Sequence, residues 1–520
     1  MRRFNVTGLC IPEEDYMVDL SGKIGQIRKL VDERRYFTIN RARQFGKTTV
    51  LAAMRQALLD EYFVASISFE GLGDESFEQA AAFCKVFVKH VAQALRNTSA
   101  PDELIDDWAN CDIHDFDLLS RHITDVCKDR KIVLMIDEVD RTSNNRVFLH
   151  FLSMLRSKFL ARKSGDDYTF QSVILAGVYD IKNIKLKMIQ EGAYVPAESE
   201  NKIFNSPWNI AVSFNVDMAF SPDEIATMLD AYEGDHWTGM DITAISEEIY
   251  NYTSGYPFLV SRICQCIDEE IGGDWTQNGV RQAADIILME KNTLFDDLIK
   301  NLLNNNELRD FIYEILILGE IKSFNIHNPV VSLGSMYGYF TRSGSKVAIS
   351  NRIFELLISS FLVDTEKENI VPGRSELIQS GRLDMELLMR RFAEHYGEFY
   401  ETKKEVDQRF IERHGRMLFL TYLRPVINGH GFYHIESQLT DDKRMDIVVD
   451  FGSEQFIVEL KTWRGESAHE DAYEQLAGYL GSKGAQRGYL LTFDFRKDGN
   501  RERSANWVHF NGKDIFDVVV

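Results

Sequence analysis

The chain has 520 residues, of which 44% are hydrophobic and 27% charged, and its formal net charge is −21. This composition excludes a disordered polymer and provides for three or four folded domains. The negative charge excludes indiscriminate binding to nucleic acid, because it opposes the approach of phosphate. Any DNA site therefore has to be a local basic groove or depend on divalent metal.

Cysteines and apolar runs predict the cellular setting. The six cysteines are scattered without the paired spacing of a zinc site, which fits a reduced cytoplasm. Acidic residues at 13–15 precede any apolar run, and nowhere does such a run reach the length of a membrane-spanning helix. We therefore expect a cytoplasmic protein with no signal sequence and no membrane partner.

A hydrophobic strand runs directly into a Gly-Lys-Thr turn and then into a helix at residues 37–50, FTINRARQFGKTTV. A phosphate-binding loop needs backbone N–H groups pointing inward, a lysine for the terminal phosphates and a hydroxyl for Mg²⁺. Gly46, Lys47 and Thr48 supply these parts. Arg41 stands where the pattern G-x-x-x-x-G-K-[ST] has its first glycine, so an ordinary strand, turn and helix is the alternative.

Residues 131–141, KIVLMIDEVDR, carry an apolar run that ends in two acids. This pattern is typical of a buried parallel strand whose carboxylates emerge at the ligand-binding edge of an open sheet. Asp137 is predicted to hold Mg²⁺ through its waters, and Glu138 to orient or deprotonate the attacking water. A buried strand followed by surface acids is the alternative, which the Gly-Lys-Thr loop upstream makes weaker.

Further strands, a lid and a wing are predicted along the middle of the chain. Apolar runs at 63–69 and 171–177 predict strands beside the loop. Ser221 begins a helical region that a Gly-Tyr-Pro turn at 255–257 interrupts, as a lid over the nucleotide needs. Segment 335–349 predicts two strands that, with flanking helices, suggest a winged helix. Such modules bind DNA or serve packing and oligomerisation, and both roles stay open.

Two strands joined by a short polar turn are predicted at 445–462, MDIVVDFGSEQFIVELKT. Period two places Glu459 and Lys461 on one face, and Asp446 can approach them across the hairpin. Two carboxylates and an amine among apolar residues are costly unless metal or substrate uses them. In phosphodiester hydrolysis the carboxylates would coordinate Mg²⁺, and Lys461 would position water or stabilise charge on phosphate. The alternative is a polar-edged hairpin with solvated charges.

Two flanking helices offer further groups for the same cleft. Glu412 is a candidate metal ligand or an ordinary exposed helix acid. Gln475 and Tyr479 lie one turn apart on one predicted helix face. Six basic residues in this region could offset the negative net charge of the chain locally: Lys443, Arg444, Lys461, Arg464, Lys483 and Arg487.

With both regions found, nearly the whole chain resembles the bacterial AAA-ATPase-like proteins that carry a C-terminal domain of the PD-(D/E)XK nuclease superfamily. The loop of that family looks like R-x-R-x-F-G-K-[ST], so the resemblance makes Arg41 and Arg43 part of a phosphate loop. Their role, as charge near the phosphates or in structural salt bridges, stays open. The Asp137-Glu138 strand matches the family's Walker B motif, and residues 255–258 match its lid.

The C-terminal motifs carry the rest of the resemblance. Asp446, Glu459 and Lys461 match D…E-x-K, Glu412 matches the helix acid, and Gln475 begins a Q-x-x-x-Y element seen in related nucleases. The residue before the first acid is methionine instead of proline, a departure that is common in the superfamily.

The resemblance implies an α/β multidomain fold with a P-loop NTPase parallel sheet, a helical lid, a winged-helix-like module and a C-terminal restriction-endonuclease-like α/β domain. The predicted boundaries are 1–215 for the ATPase core, 216–300 for the lid, 301–365 for the winged-helix-like module, 366–400 for a linker and helix, and 401–520 for the nuclease-like domain.

The predicted function is ATP binding and hydrolysis coupled to a Mg²⁺-dependent DNA endonuclease or exonuclease, in defence against foreign DNA or in mobile-element biology. The alternative is a signalling-type ATPase switch whose C-terminal domain binds nucleic acid or a protein without cutting. The expected partners are DNA and further copies of the chain.

The predicted site residues follow from both motifs. The catalytic residues are Glu138, Asp446, Glu459, Lys461 and Gln475. The nucleotide-binding residues are Arg41, Arg43, Gly46, Lys47, Thr48, Thr49 and Asp137. The metal ligands are Thr48, Asp137, Glu412, Asp446 and Glu459.

Overall fold

The computed structural model describes residues 2–139, 146–177, 208–212, 214–317, 320–365, 377–379, 381–402, 408–427, 431–437, 445–452, 454–463, 465–494 and 504–520. The chain forms two compact units. One comprises Met1–Glu290 with Ser332–Phe340, and the other Lys291–Val331 with Thr341–Val520. The boundaries of the five predicted segments stay predictions.

A parallel four-stranded sheet forms the centre of the first unit. Its strands are β1 (Tyr36–Asn40), β2 (Phe63–Ser68), β3 (Ile132–Asp137) and β4 (Ser172–Gly177), in the order β1-β4-β3-β2. Register pairs such as Phe37 with Ile174 and Ile67 with Ile136 align the carboxyl ends of the strands. The predicted α/β architecture with a parallel sheet is confirmed.

Helices cover this sheet because their apolar stripes need burial. They span Ser21–Asp32, Lys47–Leu58, Ala80–Arg96, Asp102–Ala109, Phe116–Cys127 and Arg146–Ser164. Phe83, Phe87, Phe148 and Phe151 are almost fully buried in one core. Burying each such side chain contributes about 1.5–3 kcal/mol, so this aromatic cluster is a main source of the unit's stability.

Four helices, Pro222–His236, Ile242–Thr253, Pro257–Glu269 and Gln277–Met289, form the predicted lid region. Ser221 caps the first of them in a capping box with Glu224, and Pro222 occupies its first turn, as the sequence indicated. Gly255 (φ +72°) joins the second and third helices. A Cβ there would lie 2.0 Å from the carbonyl oxygen of Phe220, so only glycine fits.

Short elements follow in chain order. Helices span Thr293–Asn304, Asn306–Leu316, Pro329–Met336 and Arg352–Thr365, and strands β5 (Phe340–Ser343) and β6 (Lys346–Ile349) pair as a two-stranded sheet. This hairpin lies where the sequence predicted the wing. Strands β7 (Ile378–Gln379) and β8 (Arg382–Leu383) form a second short pair.

A six-stranded mixed sheet dominates the C-terminal region. Its strands are β9 (Gly431–Ser437), β10 (Met445–Phe451), β11 (Glu454–Thr462), β12 (Arg487–Phe493), β13 (Ser504–Phe510) and β14 (Lys513–Val519), in the order β13-β14-β12-β11-β10-β9. Strands β9, β10 and β11 are an antiparallel meander, and β12 and β14 continue parallel to β11. The helices are Met385–Thr402, Gln408–Ile427 and Glu466–Ser482.

The parallel pair β11 and β12 needs a crossover, and the helix Glu466–Ser482 supplies it. Leu476 and Leu480 of this helix pack on Val448, Ile457 and Leu490 of the sheet. Alternation along the strands then fixes which residues share this covered face. Within the described part of the chain, no helix combines the length and apolar character needed to span a membrane.

Candidate functional site

The loop after β1 has the backbone of a phosphate cradle. Gly46 (φ +73°) and Gln44 (φ +54°) both adopt left-handed conformations, and the helix Lys47–Leu58 begins immediately afterwards. Such a turn directs backbone N–H groups toward one point at the positive end of a helix, which favours an anion. The missing first glycine therefore does not prevent the loop from forming.

Lys47 is held against its own loop. The side chain is mostly buried, and Nζ donates to the carbonyl oxygens of Arg41 at 3.0 Å and Ala42 at 3.1 Å. The ammonium is thus fixed beside the point where the backbone N–H groups converge. A phosphate bound there would meet a positive charge already in position.

The predicted metal ligands Thr48 and Asp137 meet at the carboxyl edge of the sheet. Thr48 Oγ1 donates to Asp137 Oδ2 at 3.0 Å, and the other carboxylate oxygen accepts from the backbone N–H of Glu138 at 2.9 Å. Glu138 is a non-glycine residue at φ +54°, a conformation that is uncommon and costly. A hydroxyl and a carboxylate are oxygen ligands of the kind that Mg²⁺ prefers.

The two loop arginines have different surroundings. The Arg41 guanidinium donates to the carbonyl oxygens of Asn40 and Val216, both at 2.9 Å, and burial lowers its pKa. These contacts support a bracing role for Arg41, made with main-chain carbonyls instead of the salt bridges that were one of its two predicted roles. Arg43 is exposed, and its carbonyl oxygen accepts a hydrogen bond from the Tyr256 hydroxyl.

The Gly-Tyr-Pro turn of the lid packs directly on the phosphate loop. The rings of Tyr256 and Phe45 meet edge to face at 4.7 Å between centroids. A Cβ placed on Gly46 would lie 3.8 Å from the ring of Pro257. Burial raises the pKa of Tyr256, so the hydroxyl that binds Arg43 remains a neutral donor. The loop and the lid, which were predicted separately, are therefore in direct contact.

A cavity of about 340 Å³ opens beside the loop. Its walls combine the N-terminal segment, the loop and the lid, with Asn5, Cys10, Met17, Gln44, Phe45, Thr49, Met218, Phe220, Met228 and Phe258 among them. Burial raises the pKa of the Cys10 thiol, and the Cys10 N–H donates to Thr49 Oγ1 at 3.4 Å. Sequence reasoning named Thr49, the loop and the lid turn at 255–258 here, and it missed the N-terminal wall and Met218 because those segments carry no local motif.

The second predicted site lies on the covered face of the C-terminal sheet. Glu459 is 3% exposed, and its carboxylate forms an ion pair with Lys461, whose Nζ also donates to Gln475 Oε1 at 3.3 Å. The structure therefore brings together three of the residues predicted for this site. Tyr479 instead packs in the apolar core beneath the helix.

The other two predicted ligands are placed by backbone alone. Glu412 lies in the helix Gln408–Ile427, and Asp446 in β10; both side chains fall outside the described residues. Ile447 pairs with Val458, so the antiparallel register brings the backbone at 446 to the level of 459. Among the described residues, no three His, Cys, Asp or Glu side chains are grouped to hold a metal.

Solved structures give weak likenesses. A Walker-type ATPase of Pyrococcus abyssi is 12% identical with a TM-score of 0.42, covering 68% of this chain and 99% of its own. The ORC2 protein of Aeropyrum pernix, solved as ADPNP-ADP complexes, is 11% identical with a TM-score of 0.33, covering 69% and 98%. The RuvB Holliday junction branch migration motor of Thermotoga maritima is 11% identical with a TM-score of 0.31, covering 64% and 92%.

Sequence comparison is decisive for the N-terminal part. No curated protein matches the chain. A family described as AAA-like domain matches residues 26–359, more than half of the chain, and includes the loop, the Asp137-Glu138 strand and the lid turn. This match and the geometry of the loop support a nucleotide-binding ATPase of the P-loop type. The chain belongs to the AAA-like domain family.

Proposed function

We propose that the chain binds and hydrolyses ATP with Mg²⁺, and that its nucleotide state controls a Mg²⁺-dependent DNA nuclease in the C-terminal region. The family supports the first part of the proposal. The single observation that carries the second is the buried Glu459–Lys461 pair with Gln475, set on a mixed sheet beside a crossover helix.

The ATP site is supported by the residues around the loop, each of which suits a different part of the nucleotide and its metal. Gly46 and Lys47 would receive the phosphates, and Thr48 and Asp137 would hold Mg²⁺. Glu138, fixed next to Asp137, is positioned to orient water toward the terminal phosphate. The adjoining cavity, lined by methionine and aromatic side chains, suits a purine base. Arg43 is proposed to add charge near the phosphates.

The order of elements in the C-terminal region supports the nuclease. A helix, Gln408–Ile427, precedes the antiparallel strands β9, β10 and β11, and a second helix leads to the parallel strand β12. This order resembles the restriction-endonuclease-like core. The acidic and basic residues of the proposed site lie on its second and third strands, where Asp446, Glu459 and Lys461 meet the D…E-x-K pattern.

The chemistry needs charge compensation more than covalent participation. In hydrolysis, water oxygen bonds to phosphorus, the phosphorus–oxygen ester bond breaks, one proton leaves the water and the leaving oxygen takes up another from solvent. Lys461 is placed to stabilise charge on the phosphate, and Gln475 holds that lysine. Bound Mg²⁺ would activate water and neutralise phosphate charge.

The residues present suit such a metal. Glu459 is a buried carboxylate whose charge is balanced only by the neighbouring ammonium within the described part, and hard oxygen ligands are preferred by Mg²⁺. Asp446 and Glu459 would hold the ion, with Glu412 as a further proposed ligand. The DNA would approach this local site despite the acidic net charge of the chain.

The test is Mg²⁺-dependent cleavage of DNA by purified wild-type chain and by Glu459→Gln and Asp446→Asn. We expect both variants to lose cleavage and to keep ATP hydrolysis. Glu454→Gln, at the start of the same strand, is the matched control and should cut normally. Cutting that survives both changes would overturn the nuclease assignment. A wild-type chain that binds ATP and DNA but cuts no substrate would favour a signalling switch.

The biological setting follows from resemblance only. We propose a role in defence against foreign DNA, including antiviral defence, or in mobile-element biology, and assembly of several copies of the chain. Gel filtration with multi-angle light scattering, with and without ATP, measures the assembly directly. A monomer under both conditions would contradict it.

A further inference from the structure

A second polar cluster lies on the C-terminal sheet, outside the Glu459 site. His469 Nε2 donates to Asp517 Oδ2 at 2.8 Å, and the Tyr473 hydroxyl donates to the same oxygen at 2.7 Å. Asp517 is 7% exposed, and its Oδ1 is buried with no hydrogen-bond partner among the described residues. A buried carboxylate with an unsatisfied oxygen is costly, and apolar side chains would stabilise this sheet better. The cluster therefore suggests a function.

The strand register relates this cluster to the proposed site. Glu459 pairs with Leu490 on β12, and Leu490 pairs with Asp517 on β14, so the three residues form one row. Strands are about 4.8 Å apart, which separates the backbones of Glu459 and Asp517 by about 10 Å. One pleat further along, Lys461 pairs with Thr492. The cluster thus lies on the same face as the ion pair, toward the end occupied by Lys461.

The hydrogen bonds determine which nitrogen of His469 exchanges its proton. Nε2 faces the Asp517 carboxylate and carries hydrogen, so Nδ1 is the nitrogen that gains or loses one. Thr492 Oγ1 lies 3.5 Å from Nδ1. Burial and the hydrogen bond to Asp517 raise the pKa of Tyr473, so its hydroxyl stays neutral.

The other charges facing His469 are few among the described residues. Asp517 of β14 is its direct partner, and Lys461 lies on the far side of Thr492. Asp494, two residues beyond Thr492, is also buried. The nearest charges on its own helix, at 466, 470 and 471, are exposed. Protonation of His469 therefore converts a negatively charged cluster into a neutral one.

We infer that His469 is a positioning residue of the proposed phosphodiester site: held by Asp517 and Tyr473, its imidazolium adds positive charge to the end of the site where Lys461 meets the phosphate. The inference rests on the proposed nuclease function. Charge developing on phosphate is stabilised by a nearby cation in a partly buried environment, so protonated His469 accelerates cleavage.

The test is the pH dependence of cleavage by wild type and His469→Gln, measured as kcat and KM. Glutamine can still donate to Asp517 but does not titrate. We expect the ratio of wild-type to variant kcat to be about five at pH near 5.5 and to fall to about one by pH near 8.5, with similar KM values. Ionisation of the attacking water cancels in the ratio, because both proteins share it.

Two further variants keep the test decisive. Asp517→Asn removes the carboxylate that binds His469 and should change the pH dependence of kcat. This variant tests the cluster independently if His469→Gln fails to fold. His509→Gln is the matched control, because His509 pairs with Asp514 at 2.9 Å on the exposed β13–β14 edge. The ratio of wild-type to His509→Gln kcat should stay at about one across the same pH range.

The outcomes separate the two proposals. Suppose that wild type cuts DNA, that Lys461→Ala abolishes the cutting, and that the ratio of wild-type to His469→Gln kcat is constant with pH. This result would overturn the role of His469 and would support the nuclease assignment. An effect of His469→Gln confined to KM would overturn the role of His469 in the same way. A wild-type chain that cuts nothing would remove both.

Discussion

Each of the two sheets holds a carboxylate of a proposed site on one of its strands, but the two carboxylates have different partners. In the parallel sheet of the first unit, Asp137 is half-buried and accepts hydrogen bonds from the Thr48 hydroxyl and the backbone N–H of Glu138. In the C-terminal sheet, Glu459 is buried and is balanced by the ammonium of Lys461. The first carboxylate can exchange its partner for a metal at little cost. The second depends on its partner for stability as well as for chemistry.

Lys461→Met should therefore have the largest effect. We expect cleavage to fall about a thousandfold, because a positioned cation is lost, and stability to fall by about 3 kcal/mol, because Glu459 is left buried without its counter-charge. The double variant Glu459→Gln with Lys461→Met should recover the stability and not the cleavage. Thermal denaturation and cleavage assays of the full chain measure the two effects.

The control for this prediction is an exposed ion pair in the same unit. Glu394→Gln removes the contact between Arg391 and Glu394, whose side chains are 49% and 67% exposed, and should change neither quantity. A Lys461→Met chain as stable as wild type would contradict the dependence of Glu459 on its partner.

Lys47→Ala should come next. Loss of the ammonium held beside the loop is expected to lower ATP hydrolysis about a hundredfold. Release of phosphate from ATP measures it. Lys29→Ala, an exposed lysine on the preceding helix, is the control. Hydrolysis within twofold of wild type would remove the loop from the ATP site.

Gly255→Ala tests the docking of the lid on the loop. The added Cβ would collide with the Phe220 carbonyl in a backbone conformation that already disfavours alanine, so we expect a loss of about 3 kcal/mol. Gly239→Ala shares the positive φ (+76°), but no atom of the described residues lies within 4 Å of the added Cβ, so it should cost about 1 kcal/mol. Equal shifts in Tm would show that the close approach to Phe220 does not matter.

Tyr256→Phe should have the smallest effect. It removes one hydrogen bond to the Arg43 carbonyl and keeps the ring on Phe45, so we expect KM for ATP to rise about threefold. Tyr250→Phe, on the exposed surface of the lid, should leave KM unchanged. An unchanged KM in Tyr256→Phe would mean that the lid hydroxyl does not organise the loop.

Sequence patterns predicted the features that depend on neighbouring residues. Gly46, Lys47 and Thr48 follow a strand in one short segment, and the acids at 137 and 138 end another, so local periodicity was sufficient. The Glu459–Lys461 pair on β11 could be predicted for the same reason, because residues two positions apart share a face in any strand. The loop and the Asp137-Glu138 strand are the parts on which the family match and the geometry agree.

Features made by distant segments could not be predicted in this way. One partner of Arg41 is the distant carbonyl of Val216, and the cavity beside the loop combines residues near 10, 45, 218 and 258. His469 and Asp517 are likewise 48 positions apart. No pattern within a helix or strand brings such residues together, because strand order and lid packing decide their proximity.

The most direct test of the account measures cutting of linear and circular DNA by the purified chain with Mg²⁺, with and without ATP. Wild type should cut at a rate that changes with ATP, and Lys47→Ala should cut at one rate under both conditions. Lys461→Ala should hydrolyse ATP and cut nothing. Cutting by Lys461→Ala, or a wild-type cleavage rate that does not change with ATP, would contradict the proposal that the AAA-like domain controls a nuclease.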